Sequence, residues 1–353
     1  MGKTIAITPS WYWPAGVPRV VGVPPYAVHE LAVDRWAGRA PDEVALVDAS
    51  TRLTRGELAA EVAARAAALA GRDDHTITTS PAAEAAVDLL AALAAGSRVH
   101  AGGAGAPGTA SGGPWATRAQ LAVPGKDGAV WLSQRSLVAG ALGIASFHGL
   151  RPEGAWVTAF PLSTWHGVYG LITPLLAGLT VVLAEPGEPA LDAVRREGAT
   201  WLFAGLDDAF DWTREAKREV KALRGVLGSA LLTVDGPFDA EARRRVGRLF
   251  ECPALTVFGT AETGPMFASH ASWYLDEAVG IPLTNMHVVP ADPRTGTPLA
   301  TLWEFVESAM VTVSGPSLCV ASEATLPWLA DGRLMTGVVA SSDPNGMVYL
   351  LPS

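Results

Sequence analysis

The stretch Leu255-Thr256-Val257-Phe258-Gly259-Thr260-Ala261-Glu262-Thr263-Gly264 starts as an apolar strand, Leu255 to Phe258, and turns on Gly259. Beyond the turn it offers Thr260, Glu262 and Thr263 at the strand's carboxyl end, where open α/β sheets bind their ligands. Mg²⁺ takes only one or two protein carboxylates and fills its remaining positions with phosphate and water. Glu262 beside two hydroxyls therefore suffices for a metal-nucleotide site. The same residues also read as a strand, a turn and a Thr or Glu cap for a following helix. The ten residues alone leave both readings open, and their neighbours must decide.

The flanking segments alternate strand and helix. Upstream, Trp156 to Phe160, Thr180 to Ala184, Trp201 to Ala204 and Leu227 to Val234 are predicted strands. Between them the spacing predicts helices over Ser133 to Phe147, Val168 to Ala177, Leu191 to Glu197, Asp207 to Lys221 and Asp239 to Leu249. Such alternation implies parallel sheets covered by helices on both faces. Further back, Thr54-Arg55-Gly56-Glu57 is a capping box opening a helix to about Leu69, and Ala82 to Ala95 is a second helix. Residues 102–114, rich in Gly with Ala and Pro, read as a loop, because no strand is predicted before them and no Lys-Ser/Thr follows, as a phosphate-binding P-loop requires. Residues 1–25 read as an irregular arm, 26–353 as one large domain, and 265–353 as its β-rich closing part.

Composition narrows the function classes. With 26 Lys and Arg against 35 Asp and Glu, the chain carries a formal charge of −9, so no electrostatic footprint for nucleic acid or an anionic membrane exists. The longest apolar run, Ala85 to Ala95, contains Asp88 and is too short to span a bilayer. Cys252 and Cys319 have neither metal-site spacing nor a disulfide pattern, and no secretory h-region follows Met1. A cytoplasmic protein that binds neither nucleic acid nor membrane is expected. Hydrolase elbows, zinc-protease helices and paired-Cys redox motifs are absent from the sequence.

Several segments match family motifs in order. Ala40 to Val47 with Leu53 to Leu58 resembles "PD-x-x-ALV…LTY-x-EL". Phe160-Pro161-Leu162-Ser163-Thr164-Trp165-His166-Gly167-Val168-Tyr169-Gly170-Leu171 resembles an acyl-pocket motif, and Pro174 to Val182 resembles "PLLAGATVV". Val234-Asp235-Gly236-Pro237-Phe238 stands where a "GGAPL" turn would pack beside adenine, and Phe258 to Gly264 stands for "YG-x-TETG". Val279 to Leu283 and Asp331 to Val338 resemble "VG-x-PL" and "DG-W-L-x-TGD". Chance matches would not keep this order. The chain thus resembles the adenylate-forming superfamily, which includes acyl-CoA synthetases and nonribosomal peptide synthetase adenylation domains. The resemblance implies two stacked α/β subdomains with parallel sheets plus a small β-rich subdomain.

It also implies a site. Glu262 matches the Mg²⁺ ligand and, with His166, a catalytic position. Gly236, Pro237, Phe258, Gly259 and Thr260 match nucleotide-binding positions; Thr164, His166, Tyr169, Gly170, Thr263 and Gly264 match the substrate pocket. Read from the residues alone, Glu262 is equally a polar cap, His166 a half-buried helix cap, and Asp235 to Pro237 an ordinary turn.

The departures concern one ligand. Where the family carries its Thr/Ser/Gly phosphate loop, this chain has Ala122-Val123-Pro124-Gly125-Lys126-Asp127-Gly128-Ala129, whose only cation, Lys126, reads as a solvated loop lysine. A hydroxyl that meets phosphate in the family is replaced by Ala261, and the Asp that grips the ribose by Val338. Losing one charge-assisted contact costs about 1.5 to 3 kcal/mol. The family continues into a mobile lid domain with a catalytic lysine, whereas this sequence stops at Ser353. Two expectations follow. One is acyl or aminoacyl adenylation with ATP and Mg²⁺ on a small carboxylic or amino acid, carried on CoA or a carrier protein, with a separately encoded lid or partner. The other is a pseudoenzyme that uses no cofactor and binds an acyl group, carrier protein or partner enzyme.

Overall fold

The order of elements follows the apolar periodicity. A computed structural model describes residues 13–78, 80–101, 120–234, 238–300 and 305–352. The expectations for 1–12, for the Gly-rich stretch 102–114, and for Asp235, Gly236 and Pro237 lie outside these residues. A π-helical turn, Glu30–Asp34, runs into α1 (Arg35–Ala37), followed by β1 (Val44–Val47), β2 (Arg52–Thr54), α2 (Arg55–Leu69), β3 (Asp74–Ile77), α3 (Ala83–Ala95) and β4 (Arg98–Ala101). Next come β5 (Leu121–Gly125), β6 (Gly128–Leu132), α4 (Gln134–Phe147), β7 (Ala155–Thr158), α5 (Trp165–Ala177), β8 (Thr180–Leu183) and α6 (Glu188–Glu197). Then follow β9 (Trp201–Gly205), α7 (Leu206–Glu215), α8 (Lys217–Ala222), β10 (Ser229–Thr233), α9 (Ala240–Phe250) and β11 (Ala254–Thr260). The final run is β12 (Gly264–Ala268), β13 (Ile281–Pro282), β14 (His287–Ala291), β15 (Val306–Ser314), β16 (Ala321–Ser322), β17 (Leu334–Ser342) and β18 (Val348–Leu350).

Three sheets result. The largest runs β13-β12-β11-β10-β9-β7-β8-β1-β2. Its centre, from β11 to β1, is parallel, and antiparallel strands flank both ends. The second runs β16-β6-β5-β4-β3, and the third, β14-β15-β17-β18, is antiparallel.

Strands such as Ser229–Thr233 and Thr180–Leu183 carry unbroken apolar runs, Ala230 to Leu232 and Val181 to Leu183, because both of their faces are covered. Successive side chains go to opposite cores. Trp156 and Leu231 join a core with α3, α4, α5 and the second sheet, while Val157 and Leu232 join one with α6, α7, α9 and the third sheet. The large helices α4 and α5 thus lie between two sheets. This is the predicted pair of α/β layers, with the small antiparallel sheet beside them.

Local chemistry sets the helix starts. Thr54 and Glu57 form the expected capping box at 3.2 and 2.8 Å. Helix α5 starts at Trp165 rather than the expected Val168, because the Thr164 hydroxyl accepts the Gly167 N–H at 3.1 Å. The cap is therefore Thr164, and His166 sits in the first turn. The helix expected over 207–221 is broken at Ala216 into α7 and α8. The closing region is not all in one sheet: β12 and β13 extend the largest sheet, and β16 joins the second through β6.

Candidate functional site

The turn after β11 corrects one reading. No helix follows Thr260; the chain folds straight back as β12, pairing Thr260 with Gly264 and Phe258 with Phe267. The helix-cap alternative for Thr260 and Glu262 therefore falls. The turn is tight enough that a Cβ on Gly259 would lie 2.0 Å from the Gly264 carbonyl, and Gly264 itself has φ +62°. Thr263 Oγ1 accepts the Thr260 N–H at 3.0 Å and donates to the Gly264 carbonyl at 2.7 Å. Thr263 is consumed in holding the turn. Phe258 is buried, its ring stacked on Phe267 at 6.4 Å.

Glu262 is half-buried at the tip of this turn. Its backbone carbonyl accepts the Cys319 N–H at 2.8 Å. Burial first, and the Glu262 charge second, push the Cys319 thiol up to about 12, so this cysteine is an inert core residue. The Glu262 carboxylate leans on Gly125 of β5, where an added Cβ would come 2.7 Å from Oε1.

Gly125 belongs to a hairpin that the sequence pattern did not reveal. Strands β5 and β6 pair from Leu121↔Leu132 to Gly125↔Gly128, leaving only Lys126 and Asp127 in the turn, both exposed. Gly128 has φ +122°, and Glu323 closes over it: Glu323 Oε2 accepts the Ala129 N–H at 2.8 Å. Glu323 also donates its own N–H to the Ala129 carbonyl at 2.9 Å. The signal was present in the paired glycines of Gly125-Lys126-Asp127-Gly128, a two-residue hairpin turn, but Pro124 masked the strand. Two carboxylates, Glu262 and Glu323, thus stand against the two glycines of one hairpin.

The start of α5 forms the other wall. His166 is buried between Trp165 and Phe160, with ring centroids at 3.9 and 4.9 Å. Tyr169 is fully buried, and its hydroxyl donates to the Ser136 carbonyl at 3.2 Å. That burial keeps the phenol protonated far above its ordinary range. The Tyr169 ring fills the space left by Gly140 of α4, where a Cβ would meet it at 2.5 Å, and its hydroxyl reaches within 3.0 Å of one at Gly264. Gly170 is equally enclosed, by Thr158 and Phe203. The α5 residues and the β11–β12 turn therefore meet at Tyr169 and Gly264, while Thr164 stays at the rim as the helix cap.

The sequence pattern of AMP-binding enzymes matches residues 125–319, more than half of the chain, including the hairpin, α5 and Glu262. The chain belongs to the AMP-binding enzyme family. Members of this family act on carboxylic acids with ATP and Mg²⁺. No curated protein sequence matches the chain. Among solved structures, ATP-bound MatB from Rhodopseudomonas palustris superposes with a TM-score of 0.75 at 18% identity, covering 93% of this chain and 79% of that one. A long-chain-fatty-acid-CoA ligase from Archaeoglobus fulgidus gives 0.77 at 12% identity, with 96% and 86% covered. A malonyl-CoA ligase in a ternary product complex with methylmalonyl-CoA and AMP gives 0.72 at 20% identity, with 96% and 80% covered. At such identities the likeness is one of fold.

Within this AMP-binding fold, Val338 lies on β17, partly buried against the second core, with its N–H donated to the Thr336 hydroxyl at 3.1 Å. Nearby Arg333 is buried, bonded to Asp331, Thr312 and the Gly296 carbonyl, and serves the third sheet. Among the described residues no three His, Cys, Asp or Glu side chains gather as a metal-ligand set. No helix there is long and apolar enough to cross a membrane.

Proposed function

We propose that this chain is a non-adenylating member of the AMP-binding family, a binding module for an acyl group, a carrier protein or a partner enzyme that leaves MgATP unused. The observation that carries this reading is the hairpin Gly125–Gly128. A phosphate cradle needs several convergent backbone N–H groups or hydroxyls. This turn holds only Lys126 and Asp127, Gly128 already pairs with Gly125 in the ladder, and the Ala129 N–H is bonded to Glu323. A polyphosphate at this hairpin would also face the carboxylate of Glu323, and like charges in a partly buried site repel.

The residues do not fit the triphosphate, and no reaction step is assigned through it. Other features point the same way: Ala261 offers no hydroxyl and Val338 no acceptor for a ribose. Packing of Tyr169 and Gly170 into the core fills two of the acyl-pocket positions, which within this reading favours a protein partner over an acyl group.

One observation favours the second reading, adenylation. The Glu262 carboxylate has no hydrogen bond or ion pair among the described residues. It could give Mg²⁺ a single carboxylate ligand beside the Thr260 hydroxyl, in keeping with the ion's sparing use of protein ligands. The substrate would then be a small carboxylic acid, and CoA or a carrier thiol the acceptor, with His166 near the acid.

Calorimetric titration of the isolated chain with MgATP separates the two readings. The expected result is no saturable heat. Binding tighter than about 1 mM, the upper end of ordinary substrate affinities, would overturn the proposal. Nucleotide and Mg²⁺ density beside Glu262 in a soaked crystal would do the same.

A further inference from the structure

Helix α5 has a second end, about 20 Å from the Thr164 cap at 1.5 Å per residue, and a different chemistry collects there. Its last carbonyls attract cations, as the negative end of a helix does. The Leu176 carbonyl accepts Arg35 Nη2 and, at 3.2 Å, Trp36 Nε1, while the Gly178 carbonyl accepts Arg55 Nη2 at 2.7 Å. Gly178 lets the indole approach, since a Cβ there would lie 2.6 Å from the Trp36 ring. Up to this point the cluster is an ordinary C-terminal cap.

The charge exceeds what a cap needs. Three guanidiniums, those of Arg35, Arg39 and Arg55, stand 4.7 to 5.4 Å from the Trp36 ring centroid. Only Arg55 has a carboxylate partner among the described residues, Glu43 at 2.7 Å. Burial, and then the Arg39 charge, hold Arg35 below its ordinary range. Arg151, exposed after α4, likewise has no carboxylate partner among the described residues. A protein with a net charge of −9 has acidic groups to spare, yet among the described residues only Glu43 is paired with this cluster.

Beside these arginines lies an open cavity of about 360 Å³. Arg35, Arg151 and Trp36 form its polar and aromatic side, and Ala145, Leu150 and Leu176 its apolar wall. Ligand pockets run from about 300 to 1,000 Å³, so this one suits a small molecule. A cationic rim over an apolar wall recognises an anionic head on a short apolar tail.

We propose that this cavity between the carboxyl ends of α4 and α5 binds a small aliphatic carboxylate, held by Arg35 and Arg151 with its chain against Leu150 and Leu176. The site is independent of the nucleotide question, because it stands at the opposite end of α5 from Thr164 and His166.

The test is ligand-detected NMR and calorimetry on the full chain with hexanoate, hexanol and inorganic phosphate. Hexanoate is expected to bind, hexanol at least tenfold more weakly, and phosphate more weakly than hexanoate. Arg151→Ala, an exposed change that leaves the cap bonds of Arg35 intact, is expected to weaken hexanoate at least threefold, and the Arg39→Ala, Arg151→Ala double variant further. Thermal unfolding of both variants checks that the fold is kept. Absence of hexanoate binding at 10 mM or so, equal binding of hexanol, or hexanoate binding unchanged by Arg151→Ala would each overturn the proposal. The last outcome would place the carboxylate elsewhere, at the His166 end of the helix.

Discussion

Replacing Tyr169 by Ala tests whether the acyl-pocket positions are core or cavity. Tyr169 is fully buried, packed on Gly140 and Gly264, with its hydroxyl on the Ser136 carbonyl at 3.2 Å. Truncating a buried ring of this size costs about 3 to 5 kcal/mol, the sum of lost transfer energy and the void left behind. The hydroxyl is a small part of this, so Tyr169→Phe should lose only about 1 kcal/mol.

Gly140→Ala supplies the reciprocal half. Its Cβ would sit 2.5 Å from the Tyr169 ring, an overpacking that costs about 1 to 3 kcal/mol, against about 1 kcal/mol gained from Ala over Gly in a helix. In a Tyr169→Ala background the clash disappears, and Gly140→Ala should become neutral or stabilising. Urea unfolding followed by tryptophan fluorescence measures all four proteins and yields the coupling energy. A loss below about 1 kcal/mol for Tyr169→Ala, or an equal effect of Gly140→Ala in both backgrounds, would refute the packed-core reasoning and mean that Tyr169 lines a ligand channel.

Three further outcomes are expected. His148 is half-buried, with both ring nitrogens out of solvent and unpartnered, and their burial, then the His270 charge, lower its pKa to about 3, against about 6.5 in the unfolded chain. As pH falls the unfolded chain takes up that proton first, so stability is full above about pH 6.5 and declines toward pH 3 by up to about 1.4 kcal/mol per pH unit. Stability measured from pH 7 to 4 should show a flatter slope in His148→Phe; burial also holds His270 down, so some slope stays. An identical slope in the variant would contradict the assignment. Gly259→Ala drives a Cβ to 2.0 Å from the Gly264 carbonyl and should cost about 3 kcal/mol, read as a lowered unfolding midpoint; an unchanged midpoint would mean the hairpin is not drawn so close. Ala261→Thr combined with Val338→Asp should not produce ATP–pyrophosphate exchange, because the Lys126-Asp127 turn still lacks phosphate donors. Robust exchange would show that the turn is no obstacle.

The layers of the fold were legible in the amino-acid sequence because they rest on local and additive causes. Apolar runs such as Thr180 to Ala184 need both faces covered, Thr54 with Glu57 opens a helix by itself, and the ordered motifs from Ala40 to Val338 carry the family. Ala261 and Val338 read as departures on the strength of one residue each, a missing hydroxyl and a missing carboxylate, which is what the ATP titration and exchange assays test. Other features depend on contacts between segments far apart in the chain. Glu323 reaches the Ala129 N–H across 194 positions, Glu262 leans on Gly125, and Arg55 bonds the carbonyl of Gly178. Local pattern cannot register such pairings, because each partner looks like an ordinary polar or glycine residue in its own neighbourhood. Thus the strand and tight turn that carry Glu262 were legible in their own stretch, whereas its company, a two-residue hairpin with a second carboxylate closing it, was decided only when the sheets brought β5, β6, β11 and β16 together.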